Sequence, residues 1–290
     1  MPLLGEKPYF ALEHGTLREI PFQRTPEGRA TALSYSLAEH VFVTNGDCLE
    51  SAYNLADDRV SFINHPFDED HGLNVGDWED LRRRFRDLLH AEFVFFFPTR
   101  HDWIPGTGYG DKGNDVFLRA FCRLRQGGYR VGMVCCRWGA NVKESINLLK
   151  EYDCQQYVLW SEPLGTVQFE RTSRACDMII DQFELGSFGG ITFKAMAVGA
   201  PICTYLDEDK IAELYNEIPP VINCRTEEEV LTRIADILNN PVKLDHLRAA
   251  SRKWIKQYHS SKETIEIQVS GYTDFMEKDN TYLHSAMPKL

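Results

Sequence analysis

No Cys-x-x-Cys pair occurs in this sequence, whose eight cysteines stand at 48, 122, 135, 136, 154, 176, 203 and 224. Zinc ribbons and small disulfide scaffolds are excluded, and reduced thiols in a cytoplasmic protein are the expectation. Long apolar runs are missing too: stretches such as Phe93 to Pro98 are too short to cross a bilayer. Met1 to Phe10 has no basic segment leading into an apolar run, so no secretion signal is expected. Peripheral membrane contact through a surface patch stays open. Positive charge is scarce, with 32 Lys plus Arg against 43 Asp plus Glu and a net charge of -11. Such a surface repels nucleic acid, yet it leaves room for one basic pocket around a small phosphate ligand.

Several chemical signatures are also absent. There is no Gly-x-Ser-x-Gly, no Gly-x-x-x-x-Gly-Lys-Ser/Thr and no His-Glu-x-x-His, which removes three common enzyme classes. No Gly-x-Gly-x-x-Gly follows a strand, since Gly106-x-Gly108-x-Gly110 falls in a long loop; hydride transfer is unsupported.

What is present is an ordinary globular composition, 43% hydrophobic over 290 residues, long enough for about two domains. Short apolar runs alternate with helical patterns. Strands are expected at Tyr9–Leu12, Val41–Thr44 and Val60–Ile63, with helices at 28–39 and 48–55 between them. A linker over 65–76 and a charged helix over 77–90 precede Phe93–Phe97, a near-continuous apolar run suited to a central strand covered on both faces. Beyond it, strands at 131–135, 157–160, 178–180, 201–205 and 221–222 alternate with helices at 116–124, 142–151, 166–175, 191–198, 227–238 and 244–258. The fold class is therefore α/β, with doubly wound parallel sheets. The expected divisions are 1–76, 77–260 and a helical tail over 261–290.

Arg100 directly follows the central apolar strand, while Lys112 and Gly113 stand just before the next helix. Ligands of doubly wound sheets bind beyond the carboxyl ends of the strands, which places both cations to meet a diphosphate; two solvated surface charges would fit the same spacing. Gly186-Ser187-Phe188-Gly189-Gly190 approaches a helix N-terminus, where free N–H groups and the dipole favour an anion; a tight turn needing positive φ is the plainer reading. Lys194 lies in the first turns of that helix, where a positive charge is disfavoured unless an anion offsets it. The runs Asp68-Glu69-Asp70 and Asp207-Glu208-Asp209 have an acid-x-acid spacing, but they read as solvated loops, and His71 adds too little to close a coordination sphere. No metal ligands are assigned.

In order along the chain, Phe97-Pro98-Thr99-Arg100, Lys112-Gly113 and the block from Phe188 through Ala195-Met196-Ala197-Val198-Gly199-Ala200-Pro201 resemble the C-terminal domain of GT-B glycosyltransferases, especially family 4. The resemblance spans about residues 93–275. It implies two Rossmann-like domains and transfer of a sugar from a nucleotide-diphosphate donor to a saccharide or lipid-linked acceptor, with retention and with no cofactor or metal. It also implies that Arg100, Lys112 and Gly189 meet the diphosphate, and that Gly113, Gly186, Ser187, Phe188, Gly190 and Lys194 lie in the donor site. His14, at a strand end in the N-terminal part, is the catalytic candidate on the acceptor side; a hydrogen-bonded turn histidine is the plainer alternative. Two positions depart from the pattern: Gly186 and Lys194 stand where the family commonly has a pair of glutamates. An ammonium donates but cannot accept the ribose hydroxyls' hydrogen bonds. Glu184 is near but out of register. The first 65 residues resemble only the end of the family's acceptor domain, so that domain is expected to be incomplete; a truncated chain, an internal start, or a partner or oligomer completing it would each account for this. The rival reading is a non-catalytic sugar-nucleotide-binding or scaffolding protein on the same fold.

Overall fold

The computed structural model describes residues 8–65, 68–107 and 111–278. Gly108 and Gly110, Pro66 and Phe67 of the expected linker, the first seven residues, and the tail beyond Lys278 lie outside them. Two compact units divide the chain: residues 1–67 with 258–290, and residues 68–257.

The first unit is built on three parallel strands in the order β1-β2-β3: β1 (Phe10–Glu13), β2 (His40–Val43) and β3 (Val60–Phe62). Helices α1 (Pro26–Ser36) and α2 (Leu49–Ala56) cross over between them, as parallel pairing requires. The core gathers Leu17, Tyr35, Val41, Val43, Cys48 and Ala52. Along β1, the edge strand among the described residues, only Glu13 is buried, while Phe10 to Leu12 are partly or fully exposed.

The second unit runs α3 (Trp78–Leu89), β4 (Phe93–Phe97), α4 (Asn114–Gln126), β5 (Val131–Cys136), α5 (Val142–Glu151), β6 (Val158–Ser161), α6 (Thr166–Ala175), β7 (Met178–Ile180), α7 (Gly190–Ala197), β8 (Ile202–Thr204), α8 (Glu208–Tyr215), β9 (Ile222–Asn223), α9 (Glu227–Asn239) and α10 (Val242–Tyr258), whose last residue falls in the first unit. Its sheet is all parallel, in the order β6-β5-β4-β7-β8-β9. Every residue of β4 is buried. Phe95 and Phe97 meet Phe117 of α4 at 5.1 and 5.3 Å, while Phe96 meets Phe169 of α6 at 5.5 Å. Helices therefore cover both faces, which is why the strand shows no polar alternation.

The boundaries differ from the expected ones for local reasons. Residues 68–76 belong to the second unit, since Arg174 donates to the carbonyls of Leu73 and Val75 at 2.6 and 3.2 Å and His71 pairs with Glu170 at 2.8 Å. The last helix among the described residues, α11 (Ser261–Lys278), belongs to the first unit: Tyr272 and Phe275 pack edge-on against Phe10 at 4.6 and 5.7 Å. A further helix, α8, stands where a solvated acidic loop was expected. Asp207 caps it by accepting from the Lys210 N–H, and Glu208 and Asp209 occupy its first turn, where carboxylates stabilise the dipole.

Candidate functional site

The strand order reverses between β4 and β7: from β4 the chain proceeds outward through β5 and β6, then returns to β7, β8 and β9 on the other side. The loops leaving β4 and β7 diverge there and open a crevice at the carboxyl ends. It is a cavity of about 370 Å³. Arg100, Lys112 and Lys194 line it, together with the start of α7 at Gly189, Gly190 and Ile191. Trp138, Leu164 and Phe169 supply an apolar wall.

Asp181, just past β7, forms the floor with Thr99. Thr99 Oγ1 donates to Asp181 Oδ1 at 3.1 Å and Thr192 Oγ1 donates to Oδ2 at 2.7 Å, so one carboxylate ties the β4 loop to α7. Burial pushes the Asp181 carboxyl above its ordinary pKa, opposed by the Thr192 hydrogen bond, the Lys112 charge and the Thr99 hydrogen bond. A Cβ on Gly189 would lie 2.9 Å from Asp181 Oδ2. That contact, and not backbone conformation, demands glycine here, because Gly189 has an ordinary φ of -98°.

The wall residue Trp138 is held rigidly. Its indole Nε1 donates to the Pro98 carbonyl at 2.7 Å, and its own carbonyl accepts from the His101 N–H at 2.9 Å. His101 turns inward, fully buried, with Nδ1 at 2.9 Å from Ser145 Oγ; burial lowers its pKa to about 4, against the pull of Asp102.

No protein-family model and no curated protein matches the sequence. Solved structures do match. HepE of Anabaena, crystallised in complex with UDP and glucose, superposes with a TM-score of 0.74 at 16% identity, covering 92% of this chain and 72% of that one. A glycosyltransferase from Rickettsia africae gives 0.66 at 14% identity over 92% of this chain and 70% of that one. Sucrose-phosphate synthase from Thermosynechococcus elongatus gives 0.66 at 14% identity over 96% and 70%. The fold is GT-B.

On this GT-B frame the cavity brings together five of the residues singled out in the sequence: Arg100, Lys112, Gly189, Gly190 and Lys194. Four others lie outside its lining. Gly113 caps α4 in a left-handed conformation, φ 60°, its N–H donating to Asp111 Oδ1 at 2.8 Å. Gly186 takes φ 68° against Tyr205 and Asp207, the plain turn role. The Ser187 carbonyl accepts from Gln182 Nε2 at 3.0 Å. Phe188 points inward, 4.9 Å from Phe193, 5.6 Å from Trp254 and 5.8 Å from Tyr215. Because α7 has only eight residues, Lys194 sits in its last turn, so the dipole cost expected at an N-terminus does not arise. Lys194 is exposed and makes no ion pair among the described residues.

His14 belongs to the other unit, at the end of β1, its ring stacked on His65 at 5.5 Å and 22°. Glu184 is exposed and lies 3.9 Å from Arg225. In the Asp68–Asp70 run, Asp68 accepts from the N–H groups of Asp70 and His71 at 3.0 and 3.1 Å, and Asp70 lies 3.6 Å from Arg252. No role was assigned from the sequence to Thr99, Trp138, Asp181 or Thr192. Thr99 and Thr192 stand inside the motif stretches quoted above, and Asp181 is an acid directly after the apolar strand Met178–Ile180; Trp138 had no signal.

Proposed function

We propose that this chain binds the diphosphate of a nucleotide sugar in the β4/β7 cavity and transfers the sugar to a saccharide or lipid-linked acceptor. The observation that carries the reading is the meeting of Arg100, Lys112 and the start of α7 on one cavity at the switch point. Charge develops on the leaving diphosphate during transfer. A guanidinium, an ammonium and the exposed N–H groups of a helix N-terminus are preorganised donors for that charge, and the apolar wall restricts water around them. His14 is assigned to the acceptor side, and retention rests on the family resemblance alone. HepE has been crystallised with UDP-glucose, which makes UDP the first nucleotide to test.

Lys194 favours a second reading, in which the fold binds a sugar nucleotide without turning it over. Titration with UDP, GDP and ADP, followed by a sugar-release assay with the matching sugar nucleotides, separates the two. Turnover supports the transferase, and binding without turnover supports the rival. Arg100→Ala is expected to weaken nucleotide binding by roughly tenfold or more, in line with a charged hydrogen bond; unchanged affinity removes Arg100 from the diphosphate site.

A further inference from the structure

Lys194 lines the β4/β7 cavity from the last turn of α7 and is exposed. It shares one face of that helix with Gly190 and Ile191, which line the cavity too, as a spacing of three and four residues dictates. Helical side chains lean toward the N-terminus of their helix, which directs the lysine back over the turn that opens the anion site.

The three cations of the lining differ in what already meets them. Arg100 pairs with Asp102, and the charge of Lys112 acts on Asp181. Asp181, the one acid among the described residues of the lining, accepts from Thr99 and Thr192 on its two oxygens. Lys194 makes no hydrogen bond or ion pair among the described residues, so water solvates its ammonium until a ligand fills the cavity. The positive field also extends beyond α7. Helix α6 opens on the same cavity at Thr166, after Gly165, and neither α6 nor α7 has a side-chain cap at its start; both leave first-turn N–H groups for an anion or water.

A ligand that fills the cavity strips water from Lys194. A neutral group placed there leaves a desolvated charge without a partner, and that cost selects against it. An acid group meets the ammonium in a charge-assisted hydrogen bond. The diphosphate is held elsewhere in the reading above, by Arg100, Lys112 and the start of α7.

We propose that Lys194 selects nucleotide sugars that carry an acid group besides the diphosphate, either a carboxylate on the sugar or a phosphate on the ribose. The proposal rests on the nucleotide reading above and names its substrate class.

The test is calorimetry on the full chain with two pairs of ligands: UDP-glucuronate against UDP-glucose, and UDP phosphorylated on its ribose against UDP. If GDP or ADP is the nucleotide bound, the same pairs are made on that base. The parent is expected to bind one acidic compound roughly tenfold or more tighter than the partner lacking the acid group, as a hydrogen bond between charged groups gives. The pair that shows the preference identifies which end of the donor carries the acid. Lys194→Met keeps the apolar stem and is expected to cut that preference to less than twofold. A parent chain that binds the nucleotide but prefers neither acidic compound overturns the proposal, and so does a preference that survives in Lys194→Met. A parent chain that binds none of UDP, GDP and ADP overturns the nucleotide reading itself, and the proposal falls with it.

Discussion

A single glycine shows how tightly the cavity is specified. Gly189 takes an ordinary backbone conformation, and any side chain there meets the Asp181 carboxylate that Thr99 and Thr192 hold in place. Gly189→Ala must displace Asp181 or the start of α7, an overpacking cost of roughly 1–3 kcal/mol. Urea unfolding should show that loss, together with weaker UDP binding; Gly190→Ala, whose Cβ has open space, should be nearly neutral in stability. The contrast between these neighbours was invisible in the sequence, where both are turn glycines. Phe188 carries the same lesson with the opposite sign. It stands in the glycine-rich run and reads as a site residue, yet Tyr215 and Trp254, from helices distant in the chain, draw it into the core.

Among elements, the strands and crossover helices were the legible part, because burial on both faces writes unbroken apolar runs for the strands and one apolar stripe for each helix. Helix α8 was not legible: its acidic start reads equally as a solvated loop until the cap at Asp207 is seen. Helix α3 reads only as a charged surface helix, but one arginine on it performs a structural task. Arg82 donates to the carbonyls of Ala175, Arg174 and Cys176 at 3.0, 3.1 and 3.3 Å, capping the end of α6. Desolvation by burial is the main influence on this guanidinium and lowers its pKa. Replacing it by Met keeps the apolar stem and leaves those carbonyls without a charged donor, at about 2 kcal/mol. Thermal unfolding of Arg82→Met should show the loss; a variant as stable as the parent would show that water replaces the cap.

The whole molecule carries a buried neutral histidine in each unit: His101 in the second and His259 in the first. Burial lowers His101 to about 4 and, with the neighbouring charge of His65, lowers His259 to about 3. Both lie below the unfolded value of about 6.5, so from pH 6.5 down towards these values the unfolded chain binds more protons and stability falls with pH. At about 1.4 kcal/mol per pH unit, His101 alone accounts for roughly 3 kcal/mol lost by pH 4. Above pH 6.5 the two histidines add no pH dependence. His101→Asn, which can still meet Ser145, should flatten the decline of unfolding free energy between pH 7 and 4; an unchanged slope would mean that His101 titrates normally. On the same scale, the charge of -11 coexists with a cavity lined by three cations, since net charge governs the far field and not the lining of one cleft.

By itself the sequence determined the α/β alternation, the central strand at Phe93–Phe97, and Arg100 and Lys112 as cations at its carboxyl end. These follow from local rules: hydrophobic period, strand length and the residue after a strand. Only the tertiary structure decided that β7 lies beside β4, so that Asp181 and α7 complete the cavity, and that α11 packs with the N-terminal sheet. Those contacts join residues far apart in the chain, and their free energy comes from close packing and buried hydrogen bonds whose partners no local pattern identifies.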